Sequence, residues 1–257
     1  MITFKSDRDL VKMRKSGQIV ADILKLMRDM IKPGIDTLTL DEAAERIITK
    51  AGGKPGCKGY RVPWAPVPYP GTICASVNNE VVHGIPSRSR ILEEGDIVTI
   101  DLVASLDGFF GDAACTYPVG KVSESRQRLL DITSRSLQCG IDAVKAGATL
   151  GDIGFAVESN VLPYGYGLVR DYCGHGIGRR MHEAPQVPNF GEPGSGVMLK
   201  ERMTFCIEPM VMTGAEEVET LADGWTVVTK DGSDAAHFEK EIVVTENGVE
   251  VLTPWDK

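Results

Sequence analysis

Cysteine and histidine, the usual ligands of structural zinc, are scattered or scarce in this sequence. It has six cysteines, and no two of them form the C-x-x-C pair of a zinc finger or a redox motif. Their spacing does not support a disulfide framework either. The cysteines therefore predict reduced thiols in a cytoplasmic protein, and they argue against a small secreted domain.

Basic charge and long apolar runs are also lacking. The 257-residue chain has 28 Lys and Arg against 36 Asp and Glu, a formal net charge of −8. This balance argues against binding to nucleic acid or to an anionic membrane surface, because both need basic patches. No stretch approaches the roughly 18 apolar residues of a membrane span, and residues 1–7 lack the features of a signal peptide. We expect one large domain or two small ones, working away from membranes.

The apolar periodicity predicts helix pairs that alternate with strands, which is typical of an α+β protein. The first helix follows Ser6 and ends at Pro33-Gly34, and a capping-box spacing at Thr39 and Glu42 opens the second. Glycine and proline crowd residues 52–71, which favours an irregular loop. Two more helices are predicted near 124–144 and 150–162, and strands near 72–83, 96–104, around Asp112, 203–213, 225–229 and 237–252.

A faint internal repeat divides the chain. Residues 92–101 and 199–208 both open with L-x-E and place an acid at the same position, Asp101 and Glu208. Each half also has a K-x-G before these runs and one His-Gly-Ile. Three matches in the same order suggest two related halves that face one another. We predict a single catalytic domain, residues 1–257, with pseudo-repeats of roughly 7–120 and 121–253.

Three acids lie in apolar runs: Asp101, Glu208 and Glu239. A carboxylate buried among such neighbours is costly unless a positive charge compensates it. Since no Lys or Arg lies inside the runs, a metal is the simplest compensation. Asp112, just after a turn, and His175, in a glycine-rich loop, complete a hard donor set. Such a set suits Mn²⁺, Fe²⁺ or Co²⁺, and five ligands can hold two ions roughly 3.5–4 Å apart. Alone, Asp112 or Glu239 could equally be a surface acid.

The four histidines fall into two groups. His83, His175 and His182 lie beside glycine or in turn-like segments, where backbone and substrate can approach closely. His237 is two residues before Glu239, and we expect the two to share a strand face. A structural role for His237 is the simpler interpretation, and we leave it out of the site.

Several stretches resemble the type I methionine aminopeptidases. The resemblance runs in order from about residue 5 to 253. It is carried by residues 81–86 (VVHGIP), 95–101 (GDIVTID), 174–178 (GHGIG), 207–210 (IEPM), 223–226 (DGWT) and 239–244 (EKEIVV). It implies the pita-bread fold, with pseudo-twofold halves around a dinuclear metal site. The short 183–207 interval and the lack of an N-terminal extension lead us to expect the short bacterial form.

The resemblance also implies roles for individual residues. Asp112 and Glu239 would bridge two divalent ions (Co, Mn, Fe or Zn), with Asp101 on one ion and His175 and Glu208 on the other. His83 and His182 would contact the substrate. Glu208 would also move the proton, and His182 would stabilise the gem-diolate. The methionine pocket would comprise Tyr69, Cys74, Met181 and Trp225, although the 57–74 loop is longer than expected and Met181 replaces a frequent aromatic residue.

The implied function is removal of the N-terminal methionine from nascent proteins when the second residue is small. The enzyme would be a cytoplasmic monomer that meets nascent N-termini near the ribosome. Two alternatives remain open from the sequence. One is a proline-directed aminopeptidase or dipeptidase of the same fold, which usually has an additional N-terminal domain. The other is a non-catalytic binding module, which would be expected to lose some of the five ligands.

Overall fold

Residues 2–256 are described by the computed structural model. Within them, four α-helices and fifteen strands form a mixed α+β domain, and the paired strands are all antiparallel. The helices are α1 (Asp7–Met30), α2 (Thr37–Lys50), α3 (Glu124–Asp142) and α4 (Leu150–Val161), followed by one 3-10 turn, Leu162–Tyr164. No described helix is both long and apolar enough to cross a membrane.

The helix starts show how side chains set the boundaries. Ser6 and Asp9 form a reciprocal capping box at the start of α1, as expected after Ser6. The predicted capping box at Thr39 and Glu42 is wrong. Asp36 caps α2 instead, accepting hydrogen bonds from Thr39 N at 2.9 Å and Thr39 Oγ1 at 2.7 Å. Aspartate is the stronger cap, so the helix begins at Thr37, three residues earlier than a cap at Thr39 would start it.

The first sheet carries two of the predicted ligands. It comprises β1 (Lys54–Pro55), β2 (Ile73–Val77), β4 (Ile97–Leu106) and β5 (Phe109–Pro118), with β3 (Glu80–Val82) outside it. Asp101 on β4 pairs with Ala114 on β5, while Asp112 on β5 pairs with Val103. Because side chains alternate between faces, Asp101 and Asp112 are diagonal neighbours on one face. Ile100 and Leu102, the residues before and after Asp101 in β4, are fully buried in the main core.

The second sheet positions the other three predicted ligands. Its strand order is β15 (Gly248–Val251), β14 (Lys240–Thr245), β9 (Thr204–Ile207), β7 (Gly174–Gly176) and β8 (Glu183–Val187). His175 lies on β7, Glu208 follows β9, and Glu239 precedes β14. The smaller strands are β6 (Gly167–Leu168), β10 (Met210–Met212), β11 (Val218–Thr220), β12 (Val227–Thr229) and β13 (Ala235–His237).

Two predicted strands of this half are interrupted at the site. The strand predicted over 203–213 is split into β9 and β10 by Glu208 and Pro209, because proline cannot donate to the strand ladder. The strand predicted over 237–252 is also divided, although it contains no proline, and Glu239 lies between β13 and β14. His237 and Glu239 therefore do not share one strand, and that expectation is wrong.

Each half of the chain supplies a helix pair followed by a strand that ends in or contains a ligand. The helices pack through a large apolar core that spans both halves, including Leu24 of α1, Ile100 of β4, Val157 of α4 and Phe205 of β9. The limits proposed for the pseudo-repeats stay a prediction.

Candidate metal centre and active site

The five predicted metal ligands come from five separate segments of the fold and meet between the two sheets. Ligand atoms of Asp112, His175 and Glu239 lie within 4.8 Å of one another, together with the sulfur of Cys206. His175 Nε2 is 3.6 Å from Asp112 Oδ2 and 3.6 Å from Glu208 Oε1. A backbone bond from Glu239 N to Ala114 O, 2.9 Å long, joins the second sheet to β5.

Asp101, the fifth predicted ligand, belongs to the same charged group. Burial raises its pKa from 3.8 to about 7, and its charge in turn raises the pKa of Asp112, Glu208 and Glu239. For those three carboxyls burial is the largest cause, and the second is another member of the group. Four carboxyls so arranged repel one another strongly when they are ionised.

The centre fits a divalent cation on its own chemistry. Glu208 Oε1 and Glu239 Oε1 are buried and have no hydrogen-bond partner among residues 2–256. Two buried lysines are engaged elsewhere: Lys240 Nζ is 2.6 Å from Asp256, and Lys5 Nζ is 2.9 Å from Glu183. Buried carboxylate oxygens without donors, arranged around one imidazole, form a donor set for divalent metal ions.

Two buried residues at this centre were missed by the sequence reasoning. Cys206 is fully buried beside Glu239, and its position in the apolar run two residues before Glu208 was the sequence signal that could have indicated it. Glu241 is also fully buried, and its Oε2 accepts a hydrogen bond from the backbone N–H of Asp112 at 3.2 Å. Its place beside Lys240 gave it the pattern of a surface residue, so no sequence signal indicated this contact.

The histidines differ in their surroundings. His175 has its Nδ1 atom 3.1 Å from the carbonyl oxygen of Gly176, and burial lowers its pKa to about 4. His182 lies at the exposed rim, with its ring edge-on to that of His175 at a centroid distance of 4.3 Å. His83 packs edge-on to Trp225 at 6.4 Å, and burial lowers its pKa to about 4.

The four predicted pocket residues form one apolar cluster. It contains Tyr69, Cys74, Met181 and Trp225 with Cys57 and Val103, and Val62, Ala65, Ile85 and Phe110 pack against it. Tyr69 and Trp225 meet edge to face at 5.2 Å. The long 57–74 loop supplies part of the wall, because Trp225 Nε1 donates to the carbonyl oxygen of Val67 at 2.9 Å. Cys57, which sequence analysis did not name as a pocket residue, is thus part of this wall.

The loop that carries Met181 and His182 is anchored by Glu183. One carboxylate oxygen accepts from the backbone N–H groups of Arg179 and Arg180, at 2.9 and 3.2 Å. The other accepts from Lys5 Nζ at 2.9 Å and from Thr3 Oγ1 at 2.8 Å. The N-terminal segment therefore holds this loop in place.

His237 lies outside the ligand set. It is 2% exposed, and burial lowers its pKa to about 3, so it is neutral. Thr116 Oγ1 bonds both its backbone N–H and its carbonyl, at 2.9 and 2.8 Å. The contacts of its backbone are those of a structural residue.

Comparison with known proteins agrees with this geometry. Metallopeptidase family M24 matches residues 11–246. Methionine aminopeptidase 1 of Bacillus subtilis is 47% identical over 98% of this chain and 99% of its own length. Methionine aminopeptidase of Escherichia coli K12 is 43% identical over 98% of this chain and 94% of its own.

Solved structures give the same result. A methionine aminopeptidase from Thermotoga maritima superposes with a TM-score of 0.95 at 43% identity, over 98% of this chain and 99% of that one. A prolidase from Pyrococcus furiosus shares the fold alone, with a TM-score of 0.76 at 22% identity, over 97% of this chain and 65% of that one. The predicted pita-bread α+β fold is confirmed. The chain belongs to metallopeptidase family M24 and, within it, to the type I methionine aminopeptidases.

Proposed function

We propose that this chain removes the N-terminal methionine from polypeptides by metal-assisted hydrolysis of the first peptide bond when the second residue is small. One observation carries the proposal: the apolar cluster and the acidic centre meet at adjacent residues. Met181 lies in the pocket wall, and the ring of His182 contacts His175 of the centre. A side chain held in the pocket would therefore place the next peptide bond at the acidic groups.

The centre would hold two divalent ions, of Co, Mn, Fe or Zn. Asp112 and Glu239 would be shared, Asp101 would serve one ion, and His175 and Glu208 the other. When bound, such ions lower the pKa of a coordinated water and polarise a carbonyl oxygen. Four acids offset the charge of two closely spaced cations, which supports a pair of ions over a single one.

The protein side chains would position the substrate and move its protons. Glu208 would accept a proton at Oε1, which is buried and unpartnered among the described residues, and pass it to the leaving amine. His182 would donate a hydrogen bond to the oxygen on which charge develops. His83, neutral at pH 7 because its pKa is lowered to about 4, would contact the substrate without adding charge.

The pocket chemistry suits methionine. An unbranched, polarisable thioether adapts to irregular apolar walls, and Tyr69, Cys74, Met181 and Trp225 supply such walls. We further propose that the substrates are nascent N-termini near the ribosome, and that the enzyme acts as a cytoplasmic monomer. The net charge of −8 supports contact with peptides rather than with nucleic acid.

Cleavage of Met-Ala-Ser compared with an Ala-Pro peptide tests the proposal. The protein would be purified without oxygen, analysed for bound metals, and assayed before and after treatment with a chelator. We expect metal-dependent release of methionine from Met-Ala-Ser and no cleavage of the Ala-Pro peptide. Faster cleavage of the proline peptide would favour a proline-directed enzyme, and metal binding with no cleavage of either would favour a binding module.

A further inference from the structure

Tyr60 contacts the predicted catalytic histidine, although sequence analysis did not single it out. Its hydroxyl lies 3.1 Å from His182 Nδ1, and the two rings are 5.7 Å apart at 60°. The contact is on the side of the imidazole away from Nε2. Nε2 is therefore the nitrogen left to face a substrate.

The backbone around Tyr60 fixes the position of its phenol. Tyr60 N donates to Cys57 O at 2.9 Å, and Tyr69 N donates to Tyr60 O at 2.8 Å. Gly59 N donates to Tyr69 O at 2.8 Å. Tyr69 is itself buried, and its hydroxyl lies within hydrogen-bond distance of the backbone carbonyl oxygens of Ile73 and Gly84. Tyr60 is 37% exposed, yet this short ladder ties it to the wall of the pocket.

The partners of the two neighbouring histidines select opposite tautomers. His175 Nδ1 faces the carbonyl oxygen of Gly176, which can only accept, so that nitrogen carries the proton. The lone pair of His175 is then on Nε2, facing Asp112 and Glu208. His182 Nδ1 faces a hydroxyl, and an imine nitrogen accepts hydrogen bonds better than a phenol oxygen does. Tyr60 therefore donates, and the proton of neutral His182 is on Nε2.

We infer that Tyr60 is a positioning residue that holds His182 as the Nε2–H tautomer. In that form His182 can donate to the substrate oxygen, while its neighbour His175 keeps a lone pair for a metal. The inference rests on the proposed function for its kinetic consequence. The tautomer itself follows from the contact between the two side chains.

Tyr60→Phe tests this by removing only the hydroxyl. Long-range ¹H–¹⁵N spectra of histidine-labelled protein, metal-free and zinc-loaded, report which ring nitrogen carries the proton, and the chain has only four histidines. We expect Nε2–H for His182 in the wild type and a mixture of tautomers in the variant. On Met-Ala-Ser, kcat should fall roughly threefold to tenfold, the size of one net hydrogen bond, with KM unchanged. Tyr164→Phe, at an exposed phenol that packs beside Tyr166, is the matched control.

A double-mutant cycle separates this role from a general structural one. In a His182→Ala background, Tyr60→Phe should have no further effect on kcat. A persistent loss there, a wild-type His182 protonated at Nδ1, or an unchanged tautomer in Tyr60→Phe would each overturn the inference. If the wild type failed to cleave Met-Ala-Ser, the proposed function would be refuted, and the spectra would still decide the role of Tyr60.

Discussion

Replacing Glu239 by glutamine should weaken metal binding and, at the same time, stabilise the metal-free protein. The Glu239 side chain is 3% exposed, and its Oε1 has no hydrogen-bond partner among the described residues. Burial is the largest cause of the raised pKa of Asp112 and of Glu239; the charge of Glu239 adds to the first shift, and the charge of Glu208 adds to the second. Glutamine keeps the shape of the side chain and removes the charge, so both the repulsion and the attraction to a cation are lost.

The structure sets the size of both effects. Ligand atoms of Glu239 and Asp112 lie within 4.8 Å of each other. At an effective dielectric constant of about 20, two unit charges at that distance interact by about 3 kcal/mol. The stabilisation of the metal-free protein should be smaller than the full repulsion between ionised groups, because the raised pKa of these carboxyls leaves them partly protonated. A similar loss of attraction to a bound cation corresponds to about a 10²-fold weaker dissociation constant.

Two measurements on the same variant check this reasoning. Titration calorimetry gives the metal affinity, and urea unfolding in the presence of a chelator gives the stability of the metal-free protein. Glu217→Gln, at an exposed acid, makes the same change in net charge and should alter neither quantity. Retention of wild-type metal affinity and turnover in Glu239→Gln would refute the assignment of this residue as a shared ligand.

Three further predictions follow from the same contacts. His175→Ala should lower metal occupancy, whereas His182→Ala should keep the metal and lose roughly 10²–10³-fold in turnover. Equal metal loss in both variants by elemental analysis would contradict that division. Met181→Phe should change the ratio of rates on methionine and norleucine peptides by an amount equivalent to about 1–3 kcal/mol, with metal content unchanged. His83, whose pKa is lowered to about 4, should stay neutral above pH 5 in an NMR titration. Since the unfolded chain protonates near pH 6.5, this residue should cost about 3 kcal/mol of stability as the pH falls from 6.5 to 4. The loss should be absent in His83→Gln.

Three of the predicted ligands could be named from the sequence because each is an acid placed in or beside an apolar run, where burial and charge conflict. Asp101 and Glu208 lie in apolar runs, and Glu239 borders one, so each acid needed a compensating partner. The repeat added that Asp101 and Glu208 occupy equivalent positions. Both signals depend on short segments of chain. The structure brings the same residues together, while their individual roles stay predictions.

Contacts between distant segments could not be predicted in this way. Lys5 and Glu183 are far apart in the chain, and nothing in either local sequence indicates their pairing. Glu241 follows Lys240 and so has the local pattern of a surface residue, yet β14 lies between β15 and β9 in its sheet, and Glu241 is fully buried. Tyr60 lies in a loop without periodicity. In each case the decisive neighbour is set by tertiary packing, which local pattern does not contain.

The acidic centre links the protonation of the protein to its metal content. Burial raises the pKa of Asp101 from 3.8 to about 7, so between these values the unfolded chain has released a proton that the folded, metal-free protein still holds. The stability of the metal-free protein therefore falls as the pH rises through this range, by about 4 kcal/mol for Asp101 alone. A metal ion bound by Asp101, as predicted, would need the same carboxyl ionised, and its affinity should rise with pH because binding would release the proton. As the pH rises, the stability of the metal-free protein falls and the expected metal affinity increases. Ionisation of Asp101 would contribute to both changes. If Asp101 is a metal ligand as predicted, its carboxyl therefore favours metal binding at the expense of the stability of the metal-free fold.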